Sequence, residues 1–215
     1  NLLKSGDGWY GQHYEGALLT SEFTLNLENR VVSEPVALRT AYVSASKSGT
    51  TGLQVTVNGI LVDDILASTL GGGYTVATNQ VSEIEFTNGT TNLDVLLTFY
   101  RSSAASEAWL DYLQFNFIRN NRMGISQLFI RDLRTVGLGN VGQFVVSDAS
   151  SETQVWEVTD PFNVASINGN LSGTNYTFLQ TIDSLRTFIA FTKNQAKKAV
   201  LSGEFLGKIP NQNLH

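Results

Sequence analysis

Two histidines, His13 and His215, are the side chains best suited to acid–base chemistry or transition-metal binding, and they stand at opposite ends of a chain without cysteine. A Ser-His-Asp triad needs an imidazole beside a hydroxyl and a carboxylate, and a zinc site needs several clustered ligands. The distribution argues against both, and each histidine reads as a polar loop residue. Without a thiol the chain has neither a cysteine nucleophile nor a disulfide. Paired carboxylates can run glycoside hydrolysis when they flank one cleft, and the candidate pairs are Glu107 with Asp111 and Asp63 with Asp64. Spacing alone brings neither pair to a cleft, and Asp63-Asp64 reads more simply as a solvated turn after a strand. Trp9 and Tyr10, inside Asp7-Gly8-Trp9-Tyr10-Gly11, and nearby Tyr14 are candidate ligand or interface contacts, because aromatic faces stack on sugar rings and other flat ligands. Aromatics beside a first strand also close the end of a sandwich core. Structural calcium in β-sandwich loops would need spaced oxygen ligands, and no Asp/Asn ladder is present; no metal or cofactor is expected. Gly71-Gly72-Gly73 does not lead from strand to helix as a phosphate loop does and reads as a flexible turn.

The elements that would carry these residues are strands. Phe23, Leu25 and Leu27 alternate with polar residues, the period of a half-buried strand. Leu53–Val57 alternates likewise and meets Asn58-Gly59, which supplies the positive φ of a two-residue hairpin turn, with Ile60-Leu61-Val62 behind it. Asn88-Gly89 predicts a second hairpin between Ile84–Phe86 and Leu93–Tyr100. Trp109–Ile118 is apolar on both faces, with Trp109, Leu113, Phe115 and Phe117 on one side and Leu110, Tyr112 and Ile118 on the other, as in a covered central strand. After Arg119-Asn120-Asn121-Arg122 a second series begins, at Gln127–Leu133, Gln143–Val146, Gln154–Val158, Tyr176–Ile182 and Thr187–Phe191. Asp63–Leu70 is a candidate short helix, and Asn194–Leu201 a helical turn or hairpin. These features predict an all-β chain, with a jelly-roll-like β-sandwich over residues 1–119 and a smaller β subdomain over 120–215.

Charged residues form 15% of the chain and the net charge is −5, so hydroxyls and amides must wet much of the surface, as suits an exported β protein. The acidic balance argues against nucleic acid, which needs clustered Lys and Arg. No apolar run approaches the roughly 20 residues of a membrane-spanning helix. The start at Asn1 and the end at His215 read as cut points within a longer protein.

Several stretches, taken in order, resemble the region just upstream of the catalytic domain in type IX secretion sortases, the PorU-type gingipain-like cysteine peptidases. They are Gly6–Gly11, Trp109–Leu113, Val155-Trp156-Glu157-Val158-Thr159-Asp160-Pro161, Leu185–Phe191 and Ile209–His215. The Val155–Pro161 stretch also resembles one β-propeller strand, but it occurs once where a propeller needs several copies. The resemblance implies a non-catalytic accessory module of a surface-exported, outer-membrane-associated cysteine peptidase. Such a module would pack beside the downstream catalytic domain of the same chain and meet secretion components or cargo signal domains. No catalytic residue carries over, since the chain has no cysteine and His215 sits at its end. Asp183-Ser184-Leu185 resembles a short O-glycosylation motif of the same bacteria. Leu206–His215, with Pro210 and several amide side chains, reads as the junction to the catalytic domain. The alternative reading is a carbohydrate-binding module using Trp9, Tyr10 and Tyr14.

Overall fold

Burial at every second residue marks the core strands. In β3 (Val36–Ala45) the side chains of Val36, Leu38, Thr40, Tyr42 and Ser44 are buried, and in β7 (Asn92–Arg101) those of Leu93, Val95, Leu97 and Phe99, as a sheet with one face on a core requires. The computed structural model describes residues 10–71, 75–124 and 127–196. Trp9, Gly72-Gly73, most of Asn194–Leu201 and the junction Leu206–His215 lie outside them. The chain divides into two compact units, Asn1–Asn120 and Asn121–His215.

In the first unit, β3 and β7 join β1 (His13–Tyr14), β2 (Thr20–Asn26), β4 (Thr51–Val57), β5 (Ile60–Ala67), β6 (Thr78–Phe86) and β8 (Glu107–Phe117). They form two antiparallel sheets of order β1-β8-β3-β6 and β2-β7-β4-β5. Both sheets contribute to one hydrophobic core, and eight strands shared out in this way make a jelly roll. Three hydrogen bonds link the sheets through that core: Tyr42 Oη donates to the Ile65 carbonyl (2.7 Å), and Tyr14–Ser21 (2.6 Å) and Ser44–Thr51 (2.8 Å) join hydroxyl to hydroxyl. Burial raises the Tyr14 and Tyr42 phenol pKa values above their ordinary range, so both hydroxyls remain available as donors.

The second unit is a smaller β structure. One of its sheets has the order β12-β11-β15-β9, from β9 (Gln127–Ile130), β11 (Thr153–Glu157), β12 (Ala165–Ile167) and β15 (Phe188–Thr192). The other, β10-β14-β13, comes from β10 (Val141–Val146), β13 (Asn170–Ser172) and β14 (Asn175–Thr181). Phe144, Phe178 and Phe188 meet pairwise with ring centroids 5.0–5.2 Å apart, which ties the two sheets into one core with Leu128, Ile130, Val146 and Val155.

The all-β expectation holds: among the described residues the helical content is one 3-10 turn, Lys193–Gln195. The Asn58-Gly59 hairpin forms, with φ of 49° and 81° at the two residues and Val57 paired to Ile60. Other local expectations are corrected. Asn88-Gly89 joins no hairpin, because β6 pairs with β3 and β7 with β2 and β4. Asp63-Asp64 is neither a turn nor a helix start but part of β5, whose bulge leaves Val62 unpaired. Phe23 keeps 37% exposure because β2 is an edge strand.

Thr40 is fully buried, and its hydroxyl finds no hydrogen-bond partner. Replacing an unsatisfied buried hydroxyl with a methyl group removes a desolvation penalty of about 1 kcal/mol or more. Thr40→Val is therefore expected to raise the urea midpoint at unchanged m value. A lower midpoint would show that the hydroxyl is in fact satisfied.

Candidate functional site

A β-bulge sets the chemistry of the outer face of the β1-β8-β3-β6 sheet. Tyr112 pairs with Ala41 and Leu110 with Tyr42, so Asp111 has no partner on β3. The extra residue reverses the alternation of β8. Beyond it Leu113, Phe115 and Phe117 pack on the core, whereas before it Ala108 and Leu110 do so and Glu107 and Trp109 turn outward. The expectation that Trp109 shares a face with Leu113, Phe115 and Phe117 is thereby corrected.

His13 lies directly opposite Trp109 in the β1–β8 register. Its imidazole stacks on the Trp109 ring, with centroids 4.5 Å apart and planes 9° from parallel. His13 Nε2 is 3.2 Å from Glu107 Oε2, and Nδ1 is 3.5 Å from Glu15 Oε1. The ladder ends at Tyr14–Ala108, and Glu15, the next residue, bridges to Leu18 instead. A tight turn fixes Glu15: its amide and carbonyl both bond to Leu18, Gly16 takes a φ of 55°, and the Gly16 carbonyl accepts from the Arg101 guanidinium.

Glu107 and Trp109 also line a groove of about 340 Å³ bounded by Lys47, Ser106 and the connection residues Leu70 and Val76. Ser106 is held beneath it by Ser46 (2.8 Å). On the far side of the bulge Arg39 pairs with Glu83 (2.9 Å) and lies over the Tyr112 ring, beside a second depression of about 380 Å³.

The sequence candidates are placed as follows. Tyr14 is fully buried, packs against Phe99 and bonds Ser21, so it offers no surface to a ligand. Tyr10 is half-buried just ahead of β1, and Trp9 lies outside the described residues. Glu107 lines the groove while Asp111, at the bulge, does not. Asp64 accepts from Gln54 (3.0 Å) and Tyr100 (2.9 Å) within its own sheet. His13, expected in a loop, is on a strand, and both its nitrogens face carboxylates rather than a hydroxyl. The grouping of one histidine with two glutamates has no counterpart among the sequence patterns for zinc, which need clustered His and Cys, or for calcium, which need spaced Asp and Asn. Its trace in the sequence is His13-x-Glu15, two side chains on one face of a strand.

No family model matches the chain, and no curated protein matches it. Among solved structures the chain is similar to dimeric latent PorU from Porphyromonas gingivalis, with a TM-score of 0.72 and 17% identity over 87% of this chain and 19% of that one. The fold is that of a segment of PorU. The chain thus spans about a fifth of the length of PorU. A carbohydrate-binding module, CBM36, solved with calcium and xylotriose, aligns with 48% of the chain at a TM-score of 0.36 and 14% identity, a likeness too low to carry an argument.

Ligand atoms of Glu15 and Glu107 lie within 4.8 Å of each other, and like charges at that separation in water repel by about 1 kcal/mol or less. Glu15→Gln is therefore expected to stabilise the chain by that amount at mildly alkaline pH, low ionic strength and with a chelator present, and the gain should fade in high salt. Destabilisation under the same conditions would mean that the two carboxylates do not repel each other.

Proposed function

We propose that the chain is a non-catalytic accessory module of a surface-exported cysteine peptidase of the type IX sortase kind. In this reading it packs beside the peptidase domain and helps to place secreted cargo. The observation that carries it is the extent of the likeness to PorU, which runs through both β units at a TM-score of 0.72 and covers 87% of the chain. At 17% identity that likeness speaks for the fold and not for chemistry, since one fold serves many functions. The ordered motifs from Gly6–Gly11 to Ile209–His215 support the same parentage independently of the fold. Composition supports the accessory role: the chain has no cysteine, so in a cysteine peptidase the thiolate nucleophile would come from another part of the parent. The carbohydrate-binding alternative loses one of its three aromatics, because Tyr14 is in the core.

Two measurements test the reading. The isolated chain is expected to leave cargo signal peptides uncleaved, and turnover that survives repurification would overturn its non-catalytic role. In a longer polypeptide that includes the peptidase domain, amide exchange over one contiguous face of this module is expected to slow by about tenfold or more relative to the isolated chain. Equal exchange in both would remove the packing.

A further inference from the structure

Glu15, just past β1, lies beside His13 Nδ1, and Glu107, at the start of β8, lies beside His13 Nε2; among the described residues neither glutamate forms an ion pair with a lysine or arginine, and their one charged partner is His13. Two carboxylates are thus held about one imidazole at the end of a short edge strand, with one ligand atom from each of the three residues within 4.8 Å of the others. We propose that His13, Glu15 and Glu107 bind a divalent ion of the zinc class.

The geometry is close to what such an ion needs. Zinc takes nitrogen and carboxylate oxygen at about 2.0–2.2 Å in a tetrahedron, which puts neighbouring donor atoms about 3.3–3.5 Å apart. His13 Nε2 and Glu107 Oε2, at 3.2 Å, already span one edge of that figure. One ligand atom from each of the three residues lies within 4.8 Å of the others, and Glu15, whose carboxylate stands 3.5 Å from Nδ1, has the most exposed side chain of the three at 59%, so an ion held through Nε2 requires that carboxylate to swing toward the Glu107 side. The remaining position falls to water.

Two features prepare the site before an ion arrives. Trp109 holds the imidazole plane by stacking, and the Glu15–Leu18 turn, pinned through Gly16 by Arg101, fixes the backbone that carries the third ligand. Preorganisation of this kind lowers the entropy lost on binding. The donor set selects the ion. Calcium and magnesium prefer six or more oxygens, whereas one imidazole with two carboxylates suits zinc and its first-row neighbours. A bound dication also cancels the two neighbouring carboxylate charges, which removes their repulsion and ties the residue after β1 to β8.

Isothermal titration of the full 215-residue chain with zinc, calcium and magnesium chlorides tests the assignment. Zinc is expected to bind saturably at one equivalent and to raise Tm, with calcium and magnesium at least about tenfold weaker. His13→Gln and Glu107→Gln should each weaken zinc by about tenfold or more, Glu15→Gln should weaken it measurably, and His215→Gln should leave it unchanged. Absence of saturable zinc binding, affinity unaltered in His13→Gln, or equal affinity for calcium would overturn the proposal. Should a variant fail to fold, imidazole NMR of the unsubstituted chain decides. Zinc must shift the His13 resonance, assigned by its persistence in His215→Gln, and an unmoved resonance refutes the site.

Discussion

Each strand of the first unit except β5 follows its predecessor into the opposite sheet, so the chain repeatedly crosses the ends of the sandwich. Crossing segments cannot satisfy their carbonyls in a ladder, and buried carbonyls need donors. Two arginines supply them. Arg30, only 4% exposed, donates to the carbonyls of Asn88 (2.7 Å), Thr90 (2.8 Å) and Glu34 (2.9 Å), which ties the β2–β3 and β6–β7 connections together. Arg101 donates to Ala104 (2.7 Å), Ser106 (2.8 Å) and Gly16 (2.5 Å) and ties the β7–β8 connection to the turn after β1. The guanidinium fork suits this role, since its several donors have fixed directions. In a chain with few charges, these two cations serve connections rather than surface ion pairs.

The second clamp positions the candidate site. By holding Gly16 and Ser106, Arg101 fixes the chain immediately beyond Glu15 and immediately before Glu107, the two carboxylates beside the His13 imidazole. The bulge at Asp111 does the complementary work inside β8. Without it, the core alternation set by Leu113, Phe115 and Phe117 would carry inward to Trp109 and Glu107, and the outer face would lose both the stacking plane and one ligand. Bulges re-aim side chains in this way at sites where a regular ladder would point them wrongly.

This explains which parts of the structure were legible in the sequence. The fold class, the Asn58-Gly59 hairpin and most strands of the second unit follow from local rules of period and turn chemistry, and those rules held. Asn88-Gly89 carries the same dipeptide signal but is put to other use: neither residue adopts a positive φ, the Asn88 side chain accepts from the Thr90 amide and hydroxyl, and its carbonyl serves Arg30. Topology overrode the turn. β3, at the centre of its sheet, was missed because inward Thr40 and Ser44 interrupt its apolar alternation while outward Ala41 and Val43 are buried as well. The site was the least legible part, since a one-residue bulge has no signature in composition and the Glu15–Glu107 approach depends on pairing residues far apart in sequence.

The second unit resolves the same tension between sparse charge and buried polarity differently. Arg186 pairs with Glu157 at 2.6 Å, both side chains largely covered, and Glu157 accepts from Thr159, whose hydroxyl in turn receives the Thr187 amide. That chain of bonds fixes the end of β11 against the residues entering β15, so of the stretch Val155–Pro161 that resembled a propeller strand, Val155–Glu157 belong to an inner strand between β12 and β15 and the rest leads out of it. Its Trp156 points away from the Phe144–Phe178–Phe188 core and keeps 40% exposure while its edge meets Phe191. A tryptophan on the outer face needs a cause other than core packing, because the aromatic trio already fills the interior. In the first unit Trp109 has such a cause in the imidazole it carries. In the second, Trp156 stands in the row Trp156–Ile189–Phe129 across three paired strands, and its ring packs edge to face with Phe191.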